Sequence, residues 1–193
     1  DYKVRTPWRL NLSVGNTFFN KLAVGAEYEF ADYSTTSVSY GDGFDDWNDS
    51  KDRDLNREAH HYLKGTHTLK LGAELTPVRN LYLRAGYNYV TSAIDKNAFL
   101  NQYINSASVD ASTSTDYLNT SSIKRYSVGA GVKFGSFYAD ATWLYQCQNG
   151  KLYAFSASED GSLNATPSSL NACPARHVKL NKSQFAITMG YRF

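Results

Sequence analysis

Seven segments of this chain alternate apolar with polar residues, and none of the seven apolar faces carries a charge. Successive side chains of a β-strand point to opposite sides, so the alternation predicts strands with one face suited to an apolar medium and one suited to water. The first segment, about 8–15, sets Trp8, Leu10, Leu12 and Val14 against Arg9, Asn11 and Ser13. The second, about 21–33, sets Leu22, Val24, Ala26, Tyr28 and Phe30 against Ala23, Gly25, Glu27 and Glu29. The third, about 66–76, sets Leu69, Leu71, Ala73 and Leu75 against Thr68, Lys70, Gly72 and Glu74. The fourth opposes Leu81, Leu83, Ala85, Tyr87 and Tyr89 to Tyr82, Arg84, Gly86 and Asn88. The fifth opposes Tyr126, Val128, Ala130, Val132 and Phe134 to Arg125, Ser127, Gly129, Gly131 and Lys133. The sixth opposes Phe137, Ala139, Ala141, Trp143 and Tyr145 to Tyr138, Asp140, Thr142 and Leu144. The seventh opposes Phe185, Ile187, Met189, Tyr191 and Phe193 to Gln184, Ala186, Thr188, Gly190 and Arg192. The charges Arg9, Glu27, Glu29, Lys70, Glu74, Arg84, Arg125, Lys133, Asp140 and Arg192 fall on the polar faces.

A soluble β-sandwich would share this alternation, and the connections distinguish it from a barrel. Short links at 15–20, 77–80 and 135–136 join the strands in pairs, whereas long polar segments at about 34–65, 92–122 and 147–181 separate the pairs. Short turns at one end and long loops at the other are the asymmetry of an outer-membrane barrel, with the turns periplasmic and the loops extracellular. No apolar run of 18 residues is present in a chain of mean hydropathy −0.47, so a helical span is excluded and a membrane crossing requires a closed barrel. Fifteen Tyr and ten Phe supply the material for two interfacial girdles. Tyr126 and Phe134 stand eight residues apart on one face, which at about 40° of tilt projects to about 20 Å along the membrane normal. The expected architecture is therefore an all-β antiparallel transmembrane barrel spanning 1–193.

Strand parity adds a constraint. If the last strand descends to a periplasmic end, the first also descends, entering at Trp8 from outside, and a complete single-chain bacterial barrel has an even strand count. The sequence starts at Asp1 without an initiator Met or signal peptide, so it is expected to be the C-terminal part of a larger barrel, or to find its partner strands on another polypeptide. A closed eight-stranded barrel would need a further strand inside one of the long loops. Tyr191 and the terminal Phe193 are expected to act as the C-terminal signal read by the barrel-insertion machinery.

The chain resembles the C-terminal half of the FadL/TodX family of outer-membrane transporters for hydrophobic compounds. The resemblance is carried by Arg5-Thr6-Pro7-Trp8-Arg9-Leu10, by Val24-Gly25-Ala26-Glu27-Tyr28-Glu29-Phe30 with Asp32-Tyr33, and by Leu69-Lys70-Leu71-Gly72-Ala73-Glu74-Leu75 leading to Leu83-Arg84-Ala85-Gly86-Tyr87. It continues through Tyr126-Ser127-Val128-Gly129-Ala130-Gly131-Val132, Phe137-Tyr138-Ala139-Asp140 and Phe193. The family implies a monomeric fourteen-stranded barrel with an N-terminal plug and passive uptake of molecules such as long-chain fatty acids; nothing here matches the plug. The alternatives are a small OmpA-like barrel serving as an anchor or surface-binding protein, and a haem receptor using His60 or His61.

Inside the loops, Phe99, Leu100, Tyr103 and Ile104 form an apolar cluster at helical spacing, expected to fold over the barrel mouth as a first contact for a hydrophobic substrate. The carboxylates Asp42, Asp45, Asp46, Asp49, Asp52 and Asp54 match no defined calcium loop and read as a solvated stretch, as do His60, His61, His67 and His177. Cys147 and Cys173 are the two cysteines and are expected to form one structural bridge, contributing roughly 3 to 4 kcal/mol. The mixed charges of the polar faces are expected to form an ion-paired lumen. No catalytic constellation stands out, so neither an enzyme activity nor a cofactor or resident metal is expected. With 20 basic and 18 acidic residues there is no basic stripe for nucleic acid. The expected partners are outer-membrane lipid and lipopolysaccharide, the missing N-terminal half, and a hydrophobic small molecule.

Overall fold

The computed structural model describes residues 2–40, 50–51, 53–95, 117–153 and 176–192. In chain order the elements are β1 (Tyr2–Arg5), β2 (Arg9–Phe18), β3 (Leu22–Asp32), a 3-10 turn (Tyr33–Thr35), β4 (Ser37–Tyr40), β5 (Ser50–Lys51) and α1 (Arg53–Tyr62). They continue with β6 (Gly65–Leu75), β7 (Leu81–Val90), β8 (Tyr117–Phe134), β9 (Phe137–Tyr153) and β10 (Arg176–Tyr191). The seven expected strands are β2, β3, β6, β7, β8, β9 and β10, and they form one antiparallel sheet in the order β10-β9-β8-β7-β6-β3-β2. The sheet does not close: β2 and β10 are its two edges.

Three tight turns gather at one end. Between β2 and β3, Lys21 N–H donates to the Phe18 carbonyl at 3.0 Å, and Phe19 and Asn20 both have positive φ, 53° and 54°. That is the twist-matched geometry of a two-residue hairpin, and a bulky Phe is an uncommon choice for it. Gly135, at φ 58°, opens the two-residue turn between β8 and β9. Neighbouring turns are tied by backbone bonds: Thr76 N–H to Lys21 O at 2.7 Å, Lys133 N–H to Asn80 O at 2.9 Å, and Arg192 N–H to Ser136 O at 2.8 Å.

The opposite end departs from the expected loops in two ways. The ends assigned to the segments 92–122 and 147–181 belong to strands, because β8 starts at Tyr117, β9 runs to Tyr153 and β10 starts at Arg176. Alternation fades there, and the neighbouring strands' hydrogen bonds carry the ladder instead. The segment 34–65 holds α1 and two short strands, and β4 pairs with β1 and β5 in a separate three-stranded sheet. The Asn56 side chain of α1 joins this sheet, its Oδ1 accepting from Val38 N–H at 2.7 Å and its Nδ2 donating to Val38 O at 2.9 Å. Neither β1 nor β4 extends the large sheet, so the eight-stranded alternative gains no strand from them.

Within the large sheet, directly paired residues share a face, and the register makes the apolar face continuous from edge to edge. One row reads Val14, Ala26, Leu71, Tyr87, Tyr126, Tyr145, Ser183, and the next toward the turns reads Asn16, Val24, Ala73, Ala85, Val128, Trp143, Phe185. Among the described residues no second layer covers it. Among the described residues the sole buried hydrophobic is Ala31, whereas Val14 is 72%, Phe185 79% and Ile187 72% exposed.

Candidate functional site: the two faces of the sheet

The polar face is organised by ion pairs between neighbouring strands. Lys70 Nζ donates to Glu27 Oε1 at 2.7 Å, and Asn11 Nδ2 donates to the same oxygen at 2.8 Å, linking β2, β3 and β6. Arg84 on β7 donates through Nε to Glu74 Oε2 at 2.6 Å and through Nη1 to Asp140 Oδ1 on β9. The second bond crosses over β8. It can do so because β8 places Gly131 opposite Asp140, and a methyl group at Gly131 would collide with the Asp140 carboxylate. Arg125 Nε completes the set with Gln146 Oε1 at 2.8 Å. Arg9, Glu29, Lys133 and Arg192 lie on the same face and make no ion pair among the described residues.

Glycines shape this face further. Gly15, Gly25, Gly72 and Gly86 are paired consecutively across β2, β3, β6 and β7, followed by Ser127 on β8. This row borders a groove of about 390 Å³ lined by Ser13, Gly15, Gly25, Glu27, Lys70 and Gly72. A Cβ on Gly72 would meet nothing within 4 Å, whereas one on Gly86 would lie 2.6 Å from Ser127 Oγ. Nearer the turns, Tyr82, Arg84, Lys133, Tyr138, Asp140 and Arg192 surround a second hollow of about 280 Å³. Both hollows offer hydrogen-bonding groups and paired charge. Each glycine is visible in the sequence, but their alignment across four strands exists only once the register is fixed.

On the apolar face the aromatic residues cluster at two heights. Tyr87, Tyr126 and Tyr145 share one row, with the Tyr87 and Tyr126 rings 5.2 Å apart. Trp143 stacks on Phe185 at 6.2 Å and donates its indole N–H to Ser183 Oγ at 2.7 Å. At the turn end, Phe134, Phe137 and Tyr191 make the second row.

The histidines do not converge. His60 and His61 lie on α1, His67 on β6 bonded to the Tyr28 hydroxyl at 2.7 Å, and His177 on β10. No group of three potential metal ligands occurs among the described residues. Phe99, Leu100, Tyr103, Ile104, Cys173, Phe193, Asp42, Asp45, Asp46, Asp49 and Asp52 lie outside the described residues. Cys147 is half-buried in β9. Comparisons with protein-family models, curated proteins and solved structures give no match for this chain.

Proposed function

We propose that this chain forms half the wall of a fourteen-stranded outer-membrane barrel that passes hydrophobic small molecules such as long-chain fatty acids, as its FadL/TodX resemblance implies. The observation that carries the reading is the seven-strand apolar face with no protein layer over it among the described residues. In water such a face would be an association site far larger than monomers tolerate. In a bilayer its neighbours are acyl chains, and the aromatic rows mark the two interfaces.

The edges support a missing half. Six antiparallel steps separate β2 from β10, so the two edge strands run in the same direction. Joining them would create a parallel seam, and leaving them open in lipid would cost several kcal/mol per unpaired backbone group. A partner sheet with an odd number of strands satisfies both edges in antiparallel fashion. The polar face then becomes the lumen, and the glycine-lined groove becomes a stretch of wall where a substrate can approach the backbone closely.

The test is uptake of radiolabelled long-chain fatty acid by cells expressing the protein, alongside variants that fill the groove. Gly25→Trp and Gly72→Trp are expected to cut uptake at least tenfold while the protein stays in the outer membrane at normal abundance. Wild-type protein giving no uptake above empty cells would overturn the transport reading and favour an anchor or surface-binding barrel.

A further inference from the structure

Above the tyrosine row, the lipid-facing side of the sheet changes character. The register carries it onward through Lys124 opposite Cys147, Lys179 opposite Asn149, and Lys151 opposite His177. A bulge in β8 between Thr120 and Ile123 shifts the pairing by one residue, so that Asn119 pairs with Lys151 and joins this face. Lys124, Lys151, Lys179 and His177 make no ion pair among the described residues. Beside them, where the upper ends of β7, β8, β9 and β10 meet, lies a cavity of about 420 Å³. Among the described residues its lining includes Lys64, Lys151, His177, Ser121, Ser122 and Asn149, no carboxylate, and Tyr89 from the apolar face below. The described carboxylate at this end of β7 is Asp95, whose backbone oxygen accepts from Asn119 Nδ2 at 3.3 Å.

The height of this cluster says what it meets. At about 2.5 Å of rise per residue for a tilted strand, Lys124 stands about 25 Å above the turn-end row at Phe134, and Lys151 about 35 Å above Phe137. An apolar band is about 25 Å tall, so the lysines begin where the acyl chains stop. Hydroxyls, amides and cations that have no ion-pair partner among the described residues, set over an apolar face, complement a molecule with several acyl chains beneath an anionic, hydroxylated head.

We propose that the upper outer face of β8, β9 and β10, with its adjoining cavity, binds the phosphorylated sugar head group of an outer-leaflet lipid through Lys124, Lys151 and Lys179. The assignment rests on the membrane reading of the apolar face. Each lysine acts as a charge-assisted donor to phosphate oxygens, and Tyr89 and Tyr126 hold the upper acyl segments below.

The experiment compares the wild-type protein with the combined variant Lys124→Gln, Lys151→Gln, Lys179→Gln, and with the three lysines changed to Arg. Each is reconstituted into nanodiscs of phosphatidylcholine with or without diphosphorylated lipid A, and co-purifying lipid is counted by native mass spectrometry. Wild type and the Arg variant are expected to retain lipid A, and the Gln variant to lose affinity for it by about 100-fold, with phosphatidylcholine retention unchanged. Equal lipid A retention by wild type and the Gln variant would overturn the head-group site while leaving the membrane reading intact. Failure of every form to enter nanodiscs would overturn both.

Discussion

At Gly131 a single methyl group decides whether Arg84 can reach Asp140. The guanidinium serves two carboxylates on strands to either side of it, and the longer reach exists because β8 contributes no side chain at the crossing. Gly131→Ala is expected to part Arg84 from Asp140 and to lower stability in detergent by about 0.5 to 1 kcal/mol, the scale of a partly exposed pair. Gly72→Ala meets open space and is expected to leave the unfolding midpoint unchanged. A urea titration followed by tryptophan fluorescence measures both, and equal midpoints for the two variants would show that the crossing bond contributes nothing. Gly190 shows the same logic in a different form, since the Tyr138 ring on β9 occupies the space its side chain would need.

At the scale of the element, each strand behaves as a two-sided ribbon whose sides can be assayed one residue at a time. A series of single cysteines along β10 is the direct measurement, made in the Cys147→Ser, Cys173→Ser background and labelled with a nitroxide. Positions Phe185, Ile187 and Met189 are expected to report high oxygen and low aqueous-relaxant collision rates, and positions Gln184, Ala186 and Thr188 the reverse. Loss of that two-residue period would contradict a lipid-facing side. The same period explains what could be read without coordinates. All seven strands of the large sheet were legible because hydrophobic alternation is strongest where one face is apolar and the other carries the charges. The upper reaches of β8, β9 and β10 were not, since Asn119, Gln148 and Asn149 sit in strands with polar groups on both sides. Helix α1 was hidden for a related reason: Arg53–Tyr62 is rich in helix-forming Arg, Glu and Ala, but its polarity resembles a loop when read for strands. The ion pairs Lys70–Glu27 and Arg84–Glu74 were foreseeable as residues and not as partners, because pairing depends on register.

For the whole molecule, the unpaired edges are the dominant fact. Two copies of the sheet set side by side in one orientation would still join β2 to β10 in parallel, so the barrel we propose needs a partner sheet of odd strand count whose edge strands run opposite to β2 and β10. Cysteines placed at Val14 on β2 and at Ile187 on β10 are therefore expected to form no disulfide with one another, within a chain or between chains. SDS gels run without reductant, in the Cys147→Ser, Cys173→Ser background, detect either disulfide. A β2–β10 disulfide in the wild-type membrane would mean that seven strands close on themselves.

The unequal strand lengths bear on how such a barrel meets its surroundings. β8, β9 and β10 continue well above the tyrosine row, whereas β7 stops at Val90 and β6 begins at Gly65. The upper rim of the sheet is therefore notched at β7, between the long β8 and β6. In the barrel we propose, that notch would be the lowest point of the rim, where a molecule moving over the outer leaflet would first reach the wall.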